Sequence, residues 1–139
     1  MGLALFKAKG EEVMEKICLD TGIITEYLMN KPETVQKIMQ VEKTANLAVT
    51  PQIIFELFCF AEASDKPGEN KQVIRDFIKR LTVINWTPET AELAAEILTK
   101  AEKAGLREVF LTALVNSNNY VLLTDHPEAY DGLGTKIYI

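Results

Sequence analysis

The sequence predicts an α/β protein: one three-layer domain over residues 1–139, with a mostly parallel central sheet of about five short strands and helices on both faces. Three observations carry this. Strand-like and helix-like segments alternate along the chain. The first and fourth strand segments, around Ile17-Cys18-Leu19 and Tyr120-Val121-Leu122-Leu123, are apolar throughout, as strands buried on both faces are. The chain has 139 residues, 47% of them apolar, enough for one domain with a real core.

In chain order, Lys16–Leu19 reads as the first strand. Helix follows over Thr21–Met29, where Ile23, Ile24, Tyr27 and Leu28 fall at helical spacing. Lys31-Pro32 interrupts it, because proline disfavours helix in the residue before it. Glu33–Lys43 resumes helix, with Val35, Ile38, Met39 and Val41 on one side. Asn46–Val49 is a short strand. Thr50-Pro51 is a helix start, threonine as cap and proline at the first helical position. The helix that follows, to about Ala63, is so apolar that deep burial is expected.

Ser64–Asn70, containing Pro67-Gly68, reads as a loop, Lys71–Arg80 as helix and Leu81–Asn85 as strand. Thr87-Pro88 repeats the threonine-proline start for a helix over Glu89–Lys103, which Gly105 is placed to end. Leu106–Val115 is helix, Asn116–Asn119 a polar turn, Tyr120–Thr124 strand, and Lys136–Ile139 a last strand.

Composition narrows the function classes. The net charge of −5 leaves no global basic footprint for nucleic acid, although an acidic cluster holding a divalent metal still attracts phosphate. Lys71, Arg75, Lys79 and Arg80 gather near one helical face, most simply a solvated one. No apolar run approaches the roughly 18 residues of a membrane span. The patch Leu3-Ala4-Leu5-Phe6 is too short for the apolar region of a signal peptide. A cytoplasmic location is expected. Cys18 and Cys59, both inside apolar runs, read as small core residues rather than a disulfide or metal pair. His126 is the single histidine, which excludes a histidine-rich zinc site.

The acids are the informative residues. Asp20 closes the first strand, at the sheet edge where α/β proteins bind ligands, and a helix N-terminus beside it favours its ionised form. It reads equally as that helix's N-cap. Glu56 sits inside Ile53-Ile54-Phe55-Glu56-Leu57-Phe58, where an acid must be desolvated or paired with a cation. Glu108 opens a helix, where the dipole alone would favour an acid. Asp125 closes the strand ending at Thr124, or begins a turn through Pro127. Acids converging on one edge repel one another. A Mg²⁺ or Mn²⁺ ion relieves that, since hard cations take oxygen ligands. Such a metal activates water and stabilises charge on phosphate. Metal-assisted phosphodiester hydrolysis is the chemistry this pattern implies.

At these residues the chain resembles the PIN domain family, small metal-dependent nucleases that include VapC-type toxins. The apolar strand followed by Asp20-Thr21 matches the family's first motif. Ala48-Val49-Thr50-Pro51 with Glu56-Leu57 matches the second. Glu108-Val109-Phe110-Leu111-Thr112-Ala113 matches the third, with glutamate where aspartate is usual. Val121-Leu122-Leu123-Thr124-Asp125, with Tyr130 as the following aromatic, matches the fourth. Counting back from Tyr130 also puts His126 at the acid position.

The resemblance implies a PIN-like fold and a Mg²⁺- or Mn²⁺-dependent endoribonuclease cutting single-stranded RNA. Asp20, Glu56, Glu108 and Asp125 would be its catalytic and metal-binding acids, supported by Thr21 and Thr124. It also implies a toxin held by an antitoxin protein, often as a homodimer. The alternative is a catalytically impaired PIN-like module that binds RNA or protein. Glu108 favours that alternative, because one extra methylene shifts its carboxylate and the adjacent Arg107 is able to neutralise it.

Overall fold

A computed structural model describes residues 14–139; the Leu3–Phe6 patch lies outside them. Within the described residues the elements run β1 (Glu15–Leu19), α1 (Thr21–Leu28), α2 (Pro32–Val41), β2 (Ala45–Val49), α3 (Pro51–Glu62), α4 (Pro67–Ile78), β3 (Thr82–Val83), α5 (Pro88–Lys100), α6 (Leu106–Ser117), β4 (Val121–Leu123) and a 3₁₀ turn (Pro127–Tyr130). The fold is α/β with a parallel sheet in the order β3-β2-β1-β4.

Among the described residues the sheet has four strands, one fewer than the sequence predicts. Instead of a strand, Lys136–Ile139 makes an isolated parallel bridge between Leu122 and Ile137. Leu122 N–H donates to Lys136 at 2.7 Å, and Tyr138 N–H donates to Leu122 at 2.8 Å. β3 shrinks to two exposed residues, as suits an edge that packs little.

The core centres on β1. Ile17, Cys18 and Leu19 are fully buried, as are Ala48, Val49 and Leu122 on the two flanking strands. Each large aliphatic buried here stabilises the fold by about 1.5–3 kcal/mol relative to exposure. Parallel crossovers are right-handed. The chain steps from β1 to β2 to β3 in one direction, then returns past β1 to β4. That reversal puts α1–α4 on one face and α5–α6 on the other, giving the three layers. The observed packing agrees: α1 packs on α2 and α3, α3 on α4, and α5 on α6. The reversal also makes the β1/β4 boundary a topological switch point, where the crevice at the strand ends opens for a ligand.

Both threonine-proline starts form as expected. Thr50 accepts from the Ile53 N–H and Thr87 from the Thr90 N–H, each at 3.2 Å, with Pro51 and Pro88 in the first turn. Two other signals act differently. Pro67-Gly68 opens α4 rather than extending a loop to Asn70, because a proline lacking an N–H suits a helix's first turn as well as it suits a turn. Gly105 does not end α5, which stops at Lys100 with Ala101 as its C-cap; with φ −71° Gly105 precedes α6 as its N-cap.

Helix α3 is less deeply buried than its composition suggests. Ile53, Leu57 and Ala61 face the core, while Phe55 and Phe60 are 67% and 59% exposed. Cys59 is exposed too, so only Cys18 is the expected core thiol. The basic cluster on α4 is a solvated face with local partners: Lys71 pairs with Glu62, Arg75 bonds Gln72, Lys79 pairs with Asp76, and Arg80 pairs with Glu42.

Candidate active site

The site is built at the C-terminal ends of β1, β2 and β4. Asp20 follows β1 directly, and its backbone stays within the sheet's bonding, its N–H donating to Leu123 of β4 at 2.9 Å. Its carboxylate is buried, with residue exposure of 4%. Oδ1 accepts from the Thr21 N–H at 2.8 Å and from Arg107 Nη2 at 2.8 Å. Oδ2 accepts from Thr124 Oγ1 at 2.8 Å and from the Tyr130 hydroxyl at 2.7 Å. Asp20 therefore caps α1 and at the same time sits at the centre of the cluster.

Thr50-Pro51 starts α3 at the same sheet edge, which brings Glu56 beside α1. The Thr21 hydroxyl donates to Glu56 Oε1. Arg107, in the first turn of α6, meets Glu56 with two nitrogens, Nε at 2.5 Å from Oε2 and Nη2 at 2.8 Å from Oε1. Its Nη1 lies 3.3 Å from Glu108 Oε2 and donates to the Tyr130 oxygen at 3.0 Å. The cation that an acid inside an apolar helix requires is thus supplied by the chain itself. Thr21, Gly22, Glu56, Cys59, Phe60 and Arg107 line an open cavity of about 410 Å³ over this cluster.

Burial alone would raise the Asp20 carboxyl. Hydrogen bonds from Arg107, Tyr130 and Thr124, with the Arg107 charge, outweigh it and hold the group below the ordinary carboxylate range. Glu56 follows the same pattern: desolvation is overcome by bonds from Arg107 and Thr21 and by the Arg107 charge. Arg107 is held firmly protonated by its bonds to Glu56 and Asp20. Tyr130 is pushed up by burial and by the Asp20 charge, so it remains a donor.

The sequence-predicted residues separate into two groups. Asp20, Thr21, Glu56 and Thr124 are joined directly, and Glu108 joins through Arg107. Asp125 stands apart. It is exposed, its carboxylate lies against Gly22, and its ion-pair partner is His126 Nε2 at 3.3 Å, a pair only when the histidine is protonated. No hydrogen bond or ion pair ties Asp125 to Asp20, Glu56 or Arg107 among the described residues.

The residues as they stand do not fit Mg²⁺ or Mn²⁺. Every carboxylate oxygen of Asp20 and Glu56 already accepts a hydrogen bond. Among the described residues, no group of three or more His, Cys, Asp or Glu is arranged to hold a metal ion. Two contributors are not evident from motif order. The Tyr130 hydroxyl becomes visible only once a buried tyrosine is known to need a partner. The reach of Arg107 to Glu56 spans 51 positions of sequence, and its only signal is an arginine beside one of the acids.

No family model matches the chain. Curated relatives do. It is 26% identical over 123 residues to ribonuclease VapC2 of Haemophilus influenzae, covering 85% of this chain and 92% of the relative. It is 23% identical over 125 residues to a tRNA(fMet)-specific endonuclease VapC of Shigella flexneri, covering 87% and 94%. The chain is thus similar in sequence to VapC ribonucleases over most of both chains. Solved structures agree on the fold. The chain superposes on a chain of the DNA-bound VapBC2 of Rickettsia felis with a TM-score of 0.79 at 18% identity, covering 88% of this chain and 96% of that one. For DNA-bound VapBC from Salmonella typhimurium the TM-score is 0.76 at 23% identity, covering 89% and 96%. No helix among the described residues is long and apolar enough to cross a membrane.

Proposed function

We propose that this chain is an endoribonuclease hydrolysing phosphodiester bonds of single-stranded RNA, and the toxin of a toxin–antitoxin pair. A likeness to VapC ribonucleases over most of both chains supports this. The observation that carries it to particular residues is the convergence of Asp20 and Glu56 on the open crevice at the β1/β4 switch point. In this assignment Asp20, Glu56 and Glu108 are the working acids. Thr21 and Thr124 position them, and Asp125 joins only if its loop turns inward.

The chain's own residues supply charge and placement. Asp20 is fixed by a strand end and four donors, Glu56 is carried on a helix from the neighbouring strand, and both are ionised at neutral pH. The partners that go with the assignment are RNA, an antitoxin protein and a second copy of the chain, in the cytoplasm. The likeness to toxin chains solved in VapBC complexes supports the antitoxin.

The test is degradation of single-stranded RNA by the purified full chain in Mn²⁺ buffer, comparing wild type with Glu56→Gln. Glu56→Gln is expected to lose activity by on the order of 10²-fold or more, with circular dichroism confirming the fold. Cleavage by this variant at the wild-type rate would remove Glu56 from the site. A second assignment, a PIN-like module without nuclease activity, is favoured by one observation: Arg107 occupies the space among the acids. Wild-type protein that binds the RNA but leaves it intact at every metal concentration decides for that module.

A further inference from the structure

The acids that the sequence assigns to a metal are already holding a cation. Arg107 spends three nitrogens on three carboxylates: Glu56 is gripped by two, Asp20 shares one of these, and Glu108 meets the third at 3.3 Å. A cation in the first turn of a helix is disfavoured by the helix dipole, and α6 has no side-chain cap at Gly105 to offset it. The acids, rather than the helix, therefore hold the guanidinium in place. Its side chain is 31% exposed, so it can turn to solvent without moving α6. One guanidinium against three carboxylates leaves the cluster at a net charge near −2, which still attracts a divalent ion. That ion would take oxygens at about 2.0–2.1 Å from atoms whose lone pairs face Arg107. Two cations that close together in a half-buried cavity repel strongly.

We propose that Arg107 is a built-in counter-cation that competes with divalent metal for Asp20 and Glu56, so that the chain takes up metal at this site readily only when Arg107 is withdrawn. The proposal rests on the ribonuclease assignment only for the choice of metal.

The experiment uses the full chain stripped of metal and titrated with Mn²⁺ alone, without RNA. Binding is followed by the rise in Tm and by the loss of the free Mn²⁺ electron-paramagnetic-resonance signal. Wild type is expected to half-saturate in the millimolar range or above, with a Tm rise of roughly 1 °C. Arg107→Gln is expected to start less stable, to gain several degrees with Mn²⁺, and to half-saturate at least about tenfold lower. Equal half-saturation in wild type and Arg107→Gln overturns the proposal, whether both bind tightly or both weakly. If Arg107→Gln does not fold, Arg107→Lys serves instead. An ammonium cannot grip both Glu56 oxygens and Asp20 together, so its half-saturation should fall below that of wild type, and a value unchanged from wild type overturns the proposal. Adding Glu56→Gln to Arg107→Gln should abolish the tight Mn²⁺ response; a response that persists puts the metal elsewhere and also overturns it. Tight Mn²⁺ uptake by an Arg107→Gln protein that leaves RNA intact would support the proposal and sink the ribonuclease assignment.

Discussion

Asp20 and Asp125 stand at neighbouring points of the fold and behave as opposites. Each closes a parallel strand, β1 and β4, and the two strands are paired through Leu19 and Leu123. Asp20 is buried and accepts four hydrogen bonds, from three other elements and its own helix. Asp125 is exposed, with His126 and the surface of Gly22 as its company. Position at a strand end therefore does not by itself tie an acid into the hydrogen-bonded cluster. What separates the two is the supply of donors: Thr124, Tyr130 and Arg107 all point back toward β1, and none points toward Asp125.

The largest expected effect is at Asp20. Asp20→Asn keeps the shape but turns an NH₂ toward a crowd of donors and leaves Arg107 short of one counter-charge. A loss of about 3–5 kcal/mol is expected, the scale for breaking a buried ion pair, measured by urea unfolding. A loss below about 1 kcal/mol would mean that the donors re-partner easily and the contrast with Asp125 is shallow. The same variant should lose RNA cleavage, assayed below its own melting temperature so that unfolding is not mistaken for lost chemistry.

Next comes pH. Asp20 and Glu56 are both depressed in the folded state, so their stabilisation is present above their unfolded values, near pH 4, and is lost as pH falls through the lower folded values. Wild type should lose stability progressively below about pH 4, and Asp20→Asn should show a flatter acid limb in thermal melts. An identical limb in the variant would remove Asp20 from this linkage.

Tyr130→Phe tests whether the donors make the difference. It deletes a bond to Asp20 Oδ2 and one from Arg107 Nη1, which keeps only its longer contact with Glu108, an expected cost of roughly 1.5–3 kcal/mol for bonds to charged groups. Unchanged denaturant stability would show that the Tyr130 hydroxyl is incidental.

The smallest effects belong to the Asp125 side. Asp125→Asn should change stability by no more than about 0.5 kcal/mol. Gly22→Ala puts a Cβ 2.4 Å from both Asp125 oxygens, so Asp125 must swing away, which offsets the helix gain of about 1 kcal/mol that alanine brings. In an Asp125→Ala background that gain should appear in full. A double-mutant cycle with no coupling would show that Asp125 does not lie over Gly22 in solution.

The sequence made much of this legible, for identifiable reasons. Asp20 was visible because an apolar strand that stops on an acid has few readings, and the two threonine-proline starts because cap and proline act locally. The need of Glu56 for a cation was also visible. The cation's identity was not, because Arg107 and Glu56 are 51 positions apart and only the packing of α6 against the β1 end brings them together. Pro67-Gly68 misled because the same pair serves turns and helix starts. The exposure of Phe55, Cys59 and Phe60 was hidden because α3 is apolar on faces that its neighbours leave uncovered. At the fourth motif, spacing alone could not separate Asp125 from His126, and neither is drawn into the cluster.

The backbone of Asp20 gives this residue a wider reach than its side chain. Its N–H completes the pairing of β1 with β4, its carbonyl accepts the first α1 bond from Ile24 at 3.2 Å, and its carboxylate caps that helix while facing Arg107. Sheet closure, helix initiation and charge placement thus meet in a single codon. A substitution there cannot adjust one without disturbing the others, whereas Asp125 is free to drift. Over successive mutations position 125 is where the crevice tolerates change, and position 20 is where it does not.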